Sequence, residues 1–346
     1  MLTLGFDSAD CLDARLVGGK AHGLAKMSQG GIPVSPGYVV SAAAYRQYLS
    51  TTGLHDKIEA VLRSVDHASI SALDSAAQSV EAWFKDVAMP ADHRAAIAQD
   101  YERLCGAVGV PDVSVAVRSS ATAEDSAGAS FAGEYETFVG VRGVDGIELH
   151  IRRCWASAFT ARALTYAWKN SISPLDVDMA VVVQKTVNAR AAGVMFTLSP
   201  VTGDRSRIFI EASYGLGLGV VGGDVTPDRY VVAKIEGTIV DRVLGDKHIE
   251  YSSSETFAPV DDERRQKFCL EDREVVALAK LGKGLERSHG MPLDIEFAVD
   301  RELAADRNIV LLQCRPETVW SSKRPKPQAG AANSVSAAIL ASVRKS

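Results

Sequence analysis

The sequence has few of the features that mark a disulfide-bonded or zinc-bound protein. Its five cysteines, an odd number, include no C-x-x-C pair, so neither a disulfide framework nor a zinc ribbon is indicated. The seven histidines show no H-E-x-x-H spacing, and a structural transition metal therefore has little support. We expect reduced thiols that pack in the core.

Long apolar runs and an excess of positive charge are absent as well. No segment approaches the roughly 20 apolar residues of a membrane span, and the first residues, MLTLGFDSADCLDARL, are acidic where a signal peptide is basic. A net charge of -5 describes a mildly acidic surface, unlike the basic footprint of a nucleic-acid binder. The sequence predicts a cytoplasmic protein with neither a membrane nor a nucleic acid as partner.

Two common nucleotide-binding motifs are missing or weak. No G-x-x-x-x-G-K-[ST] run occurs, whereas GLGLGVVGG contains G-x-G-x-x-G directly after the predicted strand RIFIEA. A dinucleotide-binding fold then requires a helix. The next residues instead contain Pro227 and a hairpin pattern that turns near Glu236 and Gly237. The glycine run is therefore a weak indication of a dinucleotide site.

What the sequence does contain is a helical first part followed by strands and helices, which predicts an α+β fold. The first hundred residues repeat apolar positions at three-to-four spacing. Later segments predict a helix from about residue 146 to 169, and MAVVVQKTV and AAGVMFTLSP are interpreted as paired strands. Another helix is predicted over 262–289. The strands LDIEFAVD and NIVLLQCRPE come last, followed by a basic, Pro-rich tail.

Polar side chains share one face of these last two strands. The alternation of a strand places Asp294 and Glu296 on the same face, and the same count places Gln313 and Arg315 together. If the strands pair, a carboxylate, an amide and a guanidinium converge. A carboxylate and an amide oxygen suit Mg²⁺, and a guanidinium binds phosphate oxygens bidentately. The alternative is a solvated sheet face with an ordinary ion pair, which is the commoner occurrence.

Three more residues extend this pattern towards a phosphate site. Lys20, in VGGKAHGL, follows two glycines just before a helix, where its ammonium and backbone N–H groups could face a phosphate. Arg118 ends a short strand and precedes a long run of small residues, SSATAEDSAGASFAG, whose composition suits a lid. Gln184 ends an apolar strand, from which its side chain or backbone could reach an adenine edge.

The order of these pieces resembles the N-terminal ATP-binding region of the family of phosphoenolpyruvate synthase, pyruvate phosphate dikinase and rifampicin phosphotransferase. The resemblance is carried by GGKAHGLAKMSQGGIPVSPGYVVS, VAVRSSATAEDSAGASFAGEYETF, ASYGLGLGVVGGDVTPDRYVV, LDIEFAVD and LLQCRPET, over residues 10 to 320. It implies an ATP-grasp fold, in which two lobes clamp ATP. We expect lobes at residues 1–185 and 186–320, and a linker-like tail at 321–346.

The resemblance also implies a role for each matching residue, with ATP and Mg²⁺ as cofactors. Lys20 and Arg118 match phosphate-binding positions, and Gly133 and Thr137 fall in the loop that closes over the phosphates. Gln184 matches a position at the adenine. The remaining roles fall on the last two strands: Glu296 and Gln313 match metal and nucleotide ligands, Asp294 joins them as a metal ligand, and Arg315 matches the arginine at the terminal phosphate.

Two departures from the family pattern bear on function. Leu218 stands where the family often has glutamate, and no histidine, His289 included, lies in the Thr-Ser-His type motif of the family's phosphorylated histidine. The resemblance then implies a subunit of a split enzyme that passes the β-phosphoryl group of ATP to a histidine on a partner subunit and is inactive without it. Phenylphosphate synthase, with phenol as the acceptor, is similar in this respect. The alternatives are an ATP domain of a phosphoenolpyruvate synthase or rifampicin phosphotransferase, and a nucleotide-sensing regulatory subunit.

Overall fold

The computed structural model describes residues 1–67, 69–122, 125–126, 129–130 and 136–320. Within these residues, ten α-helices accompany three short 3₁₀ segments at Ala9–Leu12, Ser157–Phe159 and Pro174–Asp176. The helices are α1 (Ala14–Gln29), α2 (Ala42–Thr51), α3 (Leu54–Ser64), α4 (Ile70–Asp86), α5 (Ala91–Val108), α6 (Gly143–Ala156), α7 (Ala161–Lys169), α8 (Leu218–Gly222), α9 (Asp262–Arg265) and α10 (Asp272–His289).

The strands of the described residues form two larger sheets and two short hairpins, and the predicted α+β class is confirmed. They are β1 (Thr3–Gly5), β2 (Gly37–Val40), β3 (Val115–Ala121), β4 (Asp125–Ser126), β5 (Ala129–Ser130), β6 (Thr137–Val141), β7 (Met179–Lys185), β8 (Ala189–Phe196), β9 (Arg207–Tyr214), β10 (Asp228–Ala233), β11 (Ile239–Val243), β12 (Ile249–Tyr251), β13 (Phe257–Pro259), β14 (Leu293–Asp300) and β15 (Ile309–Pro316).

The first sheet has the strand order β1-β2-β7-β3-β6, and the second has the order β11-β10-β9-β8-β14-β15. All neighbours in both sheets are antiparallel. The expected pairing of MAVVVQKTV with AAGVMFTLSP is therefore wrong, because β7 belongs to the first sheet and β8 to the second. The short link between the two strands, residues 186–188, forms backbone hydrogen bonds with other segments. Thr186 N donates to Ser114 O, and Asn188 O accepts from Arg301 N. The boundary between the lobes near residue 185 stays a prediction.

Both long helices predicted after the first hundred residues are interrupted. The segment 146–169 is divided into α6 and α7 by the 3₁₀ turn, because Thr160 has extended backbone and its hydroxyl accepts from Ala163 N, which starts a new helix. The segment 262–289 is divided into α9 and α10. There, Glu271 and Glu274 form a reciprocal capping box that starts α10. Gly290, with φ of 69°, ends α10 as expected.

Two hydrophobic cores lie on opposite faces of the first sheet. Val181 and Val183 of β7 pack with helices α2 to α7 in one core. The alternate residues Ala180 and Val182 pack in the other core, with α1, α10 and the second sheet. Because successive side chains of a strand point to opposite faces, β7 belongs to both cores. None of the helices in the described part of the chain has the length and apolar character needed to cross a membrane.

Candidate functional site

A cavity of about 340 Å³ opens between strands of the first and the second sheet. Residues of β3, β6 and β7 line one side of it, and residues of β8, β14 and β15 line the other. The structure brings together most of the side chains singled out from the sequence, since the lining includes Lys20, Arg118, Thr137, Gln184, Glu296, Gln313 and Arg315. Asp294 is not part of this lining, and Gly133 lies outside the described residues.

The last two strands pair antiparallel, in the register that the alternation of their side chains requires. Glu296 lies opposite Gln313, and Asp294 lies opposite Arg315. Arg315 donates from Nε and Nη2 to one oxygen, Oδ2, of Asp294 over 2.9 and 2.7 Å. The predicted convergence of carboxylate, amide and guanidinium is confirmed.

Arg118 connects the two sheets, because it lies on β3 and donates hydrogen bonds to residues of β14 and β15. It is only 7% exposed. Its Nη2 donates to Glu296 Oε2 and to Gln313 Oε1, both over 2.9 Å. Its Nη1 donates to the carbonyl oxygen of Leu312 over 2.6 Å. The guanidinium is thus held against the two side chains predicted to bind metal.

Asp294 is placed differently from Glu296. Burial raises the pKa of the Asp294 carboxyl above its usual value, and the charge and hydrogen bonds of Arg315 act in the opposite direction. Its carboxylate is the acceptor of the Arg315 bonds and lies outside the cavity lining. In this structure Asp294 orients Arg315, and its role as a metal ligand stays a prediction.

Lys20 is positioned by a close approach of α1 to β3. Gly18 has a φ of 75°, and a Cβ atom there would lie 2.1 Å from the carbonyl oxygen of Ser120. The Ser120 hydroxyl donates to Val17 O over 2.8 Å and accepts from Ala21 N over 3.1 Å. Only glycine fits this contact, which brings Lys20 beside the strand that carries Arg118. Sequence reasoning missed Ser120, although the small residues after Arg118 were a usable signal.

The other end of the cavity is mostly apolar. Val139 on β6 and Ala298 on β14 lie two residues beyond Thr137 and Glu296 and line it together with Val187 and Leu216, which suits the face of a planar aromatic group. The Gln184 side chain is buried and donates from Nε2 to Ser35 O over 2.9 Å. Its amide nitrogen is therefore engaged in a hydrogen bond within the protein, and the predicted contact of Gln184 with adenine stays a prediction.

Thr186 is a second polar residue at this end, and sequence reasoning missed it. Its hydroxyl oxygen is buried and has no hydrogen-bond partner among the described residues. Thr186 directly follows β7 and lines the cavity. No motif marks the residue, because its significance arises from the change of sheet at this point of the chain.

The glycine run does not form a dinucleotide-binding turn. The helix that follows it, α8, has five residues, and β10 then pairs antiparallel with β9. A dinucleotide-binding unit needs a longer helix and a parallel strand, and this segment provides neither. Leu218, at the start of α8, lines the cavity.

The side-chain oxygens of Glu296 and Gln313 suit a magnesium ion whose other ligands are phosphate oxygens and water. No group of three or more His, Cys, Asp or Glu side chains in the described part of the chain could hold a metal on its own. Glu296 Oε2 and Gln313 Oε1 nevertheless converge on a single cationic nitrogen. Mg²⁺ is commonly held by one or two protein oxygens, with phosphates and water as its other ligands.

Comparison with known proteins places the chain in a family. Residues 14–334 match the family described as pyruvate phosphate dikinase, AMP/ATP-binding domain. The chain is 41% identical over 343 residues to a probable phosphoenolpyruvate synthase of Staphylothermus marinus, covering 92% of this chain and 41% of the relative. It is 40% identical over 343 residues to the phosphoenolpyruvate synthase of Aeropyrum pernix, covering 91% and 42%. It is 34% identical over 366 residues to that of Pyrococcus furiosus, covering 94% and 44%.

The chain therefore belongs to the pyruvate phosphate dikinase AMP/ATP-binding domain family, and both the resemblance and the ATP-grasp-type α+β fold predicted from it are confirmed. It spans less than half the length of these curated relatives. The cavity, with cationic and metal-ligating groups at one end and apolar groups at the other, is the candidate ATP site of this domain.

None of the seven histidines lies in the lining of this cavity, and all seven are in the described part of the chain. His289, considered as a phosphate carrier, ends α10 with its Nδ1 2.9 Å from the carbonyl oxygen of Leu285. Within these residues, the structure offers no imidazole at the candidate phosphate end.

Proposed function

We propose that the chain is the ATP-binding part of a dikinase-type phosphotransferase. In this proposal it passes the β-phosphoryl group of ATP to a histidine on a partner subunit and is inactive in transfer without that partner. ATP, water and histidine give AMP, inorganic phosphate and phosphohistidine. The single observation that carries the proposal is the convergence of Arg118, Glu296, Gln313 and Arg315 at one end of a cavity whose other end is apolar.

Each residue at the phosphate end has a distinct task in this proposal. Lys20, Arg118 and Arg315 bind phosphate oxygens and stabilise the negative charge that develops during transfer. Arg315 is held in orientation by Asp294. Glu296 and Gln313 hold Mg²⁺, which when bound neutralises phosphate charge. The apolar end binds the base and keeps water away from it, and in this proposal Thr137, which lies on β6 and lines the cavity, binds the phosphates.

The final acceptor separates two versions of the proposal. Phenol is the acceptor if the enzyme is a phenylphosphate synthase, for which this chain provides the ATP-binding subunit. Pyruvate is the acceptor if the chain is the ATP domain of a phosphoenolpyruvate synthase, and the names of its relatives favour this second version. A drug phosphotransferase domain stays a further alternative of the same chemistry.

A regulatory subunit that binds ATP without cleaving it is the alternative from another class. The apolar Leu218 in the cavity lining is the observation that favours it, because the family often has a carboxylate there. Glu296, Gln313, Lys20, Arg118 and Arg315 are all present, however, and a sensor of ATP has no need of such a complete set of charged groups.

The decisive experiment combines the purified chain, Mg²⁺ and ATP labelled at the β-phosphate with a histidine-bearing partner subunit. We expect AMP and a label on the partner's histidine. Arg315→Ala is expected to abolish labelling, whereas Arg287→Ala, which removes an exposed charge on α10, is expected to leave it unchanged. Chasing the labelled partner with phenol or with pyruvate then distinguishes the two acceptors.

Binding of ATP without AMP formation or label transfer would contradict the catalytic proposal and support the regulatory one. Absence of ATP binding would contradict both. Label transfer that survives Arg315→Ala would show that the assignment of this arginine is wrong, although the transfer itself would stand.

A further inference from the structure

The guanidinium of Arg118 lies at the point where the two candidate metal ligands meet. Its Nη2 is 2.9 Å from Glu296 Oε2 and 2.9 Å from Gln313 Oε1. A carboxylate oxygen and an amide oxygen at this distance from one nitrogen are both directed at the same small volume. In this structure, the position between these two oxygens is therefore occupied by the positively charged guanidinium of Arg118.

A magnesium ion and this guanidinium cannot share that volume. Arginine stays protonated under all ordinary conditions, so a divalent cation on Glu296 would be repelled by it at very short range. The 7% exposure of Arg118 leaves little water to screen the repulsion. Lys20 and Arg315 line the same cavity and add further positive charge.

We infer that Arg118 and the metal exchange places on these two ligands. In the nucleotide-free chain, Arg118 occupies Glu296 and Gln313 and keeps metal affinity low. When ATP arrives with its metal, the phosphate oxygens accept the guanidinium, and the two side chains pass to the metal. This inference rests on the proposed function, because it takes Glu296 and Gln313 as the metal ligands.

The exchange requires only a short movement of one side chain. Arg118 already lines the cavity, and its bonds cross from β3 of the first sheet to β14 and β15 of the second. Phosphate oxygens offer a guanidinium the bidentate geometry that replaces its lost bonds to Glu296 and Gln313. Metal and phosphates thus stabilise each other's binding, and neither replaces Arg118 efficiently alone.

A competing explanation makes the opposite prediction. Arg118 could hold Glu296 and Gln313 in place for a metal that binds beside it, without leaving them. Removing the guanidinium would then weaken metal binding, because two oxygens would lose the group that orients them. Under exchange, removing it strengthens metal binding to the nucleotide-free chain, so the sign of the effect distinguishes the two.

The experiment measures Mn²⁺ binding to the nucleotide-free chain by electron paramagnetic resonance of the free ion. Arg118→Gln is expected to bind Mn²⁺ at least about tenfold more tightly than the wild type, since one buried positive charge beside the site is removed. Arg118→Lys keeps the charge and is expected to match the wild type. Lys26→Gln removes an equal charge on α1 outside the cavity lining and serves as the matched control.

Equal or weaker Mn²⁺ binding by Arg118→Gln, including no detectable binding to either protein, would overturn the inference. If this variant fails to fold, the wild type gives a second readout through nuclear magnetic resonance of its guanidinium groups. The Arg118 signal, assigned with Arg118→Lys, is expected to shift when Mg²⁺ and ATP are added together and to stay in place with Mg²⁺ alone. A shift with Mg²⁺ alone would overturn the inference.

The same samples separate this inference from the proposed function. ATP binding to the wild type in the presence of Mg²⁺ tests the nucleotide site itself. If ATP binds and the Arg118→Gln variant does not gain Mn²⁺ affinity, only the exchange is wrong. If ATP does not bind at all, the proposed function is wrong.

Discussion

At the scale of single residues, Asp228 carries a buried charge that is compensated by several hydrogen bonds and an ion pair. It is 0% exposed, and its Oδ1 accepts from Lys247 Nζ over 2.6 Å and from Gly245 N over 2.9 Å. Its Oδ2 accepts from Cys269 N over 2.7 Å. Asp228→Ala would leave the ammonium of Lys247 buried and unpaired, so we expect a loss of about 3–5 kcal/mol in the free energy of unfolding. Urea denaturation measures it.

The control is Asp241→Ala on β11, the strand that pairs directly with the strand of Asp228. Asp241 is 3.7 Å from Arg229, and both side chains are about half exposed. An exposed ion pair of this kind is worth less than about 1 kcal/mol. Similar losses for the two variants would show that burial of the Asp228 charge is not what stabilises this region.

Individual site residues were predictable where the signal is local. The shared face of Asp294 and Glu296 follows from the alternation of one strand, and it needs no knowledge of the rest of the fold. The bond from Arg118 to Glu296 joins residues 178 positions apart. No periodicity connects them, so only the resemblance to a family placed them in one site.

At the scale of elements, the kink inside α1 depends on the glycine at position 18, whose backbone is not helical. Gly18→Ala would force a Cβ atom to within 2.1 Å of Ser120 O at a φ of 75°, and the helix must then move away from β3. We expect a loss of about 2–4 kcal/mol in stability and weaker ATP binding, because Lys20 moves with the helix. Urea denaturation and calorimetric titration with ATP measure the two effects.

Gly284→Ala is the matched control, on an exposed turn of α10. A Cβ atom there would have no heavy atom within 4 Å, so the substitution is expected to stabilise the chain by up to about 1 kcal/mol through helix propensity alone. ATP affinity is expected to stay unchanged. A loss of stability in Gly284→Ala as large as in Gly18→Ala would contradict the close-contact explanation.

The contact between β12 and α9 is expected to depend on pH. Arg264 donates to both carboxylate oxygens of Glu250, over 2.7 and 2.9 Å, and these hydrogen bonds hold the pKa of Glu250 below its usual 4.5 despite partial burial. A carboxyl whose pKa is lowered by folding stabilises the fold above its unfolded pKa, and this contribution is lost as the pH falls through the folded value.

Glu250→Gln is therefore expected to destabilise the chain by about 1 kcal/mol near neutral pH and to have a smaller effect at about pH 3, where more of the carboxyl is protonated. Urea denaturation of both proteins at the two pH values measures the difference. Glu255→Gln, an exposed change in the turn of the same hairpin, is expected to have little effect at either pH. An equal loss at both pH values would exclude the charge as the cause.

The end of a helix could be predicted from the sequence where a capping or helix-breaking residue marks it. The partners of a strand were harder to predict, because they depend on residues far away in the chain. Gly290 ended the last long helix as predicted. Thr160 and Glu271 start new helices inside predicted ones, because an N-cap can form wherever the backbone turns extended. The separation of β7 from β8 could not be read from the sequence, since adjacent apolar strands favour a hairpin unless the surrounding sheets compete for them.

At the scale of the whole molecule, we expect the first sheet to couple the unfolding of the two hydrophobic cores. Val181 contributes to the core on one face of this sheet and Val182 to the core on the other, and both are fully buried. Since one strand supplies both cores, neither can open while the other stays intact. Scanning calorimetry is therefore expected to show one transition, with calorimetric and van't Hoff enthalpies that agree.

Val181→Ala and Val182→Ala test this coupling from the two sides of the sheet. Each creates a cavity in one core and is expected to destabilise by about 2 kcal/mol, and both are expected to lower the same single transition. ATP at a hundred times its dissociation constant is expected to stabilise that transition by about 2.7 kcal/mol without dividing it, because the cavity lies between the two sheets. If the two variants lowered different transitions, the two cores would unfold independently and the first sheet would not couple them.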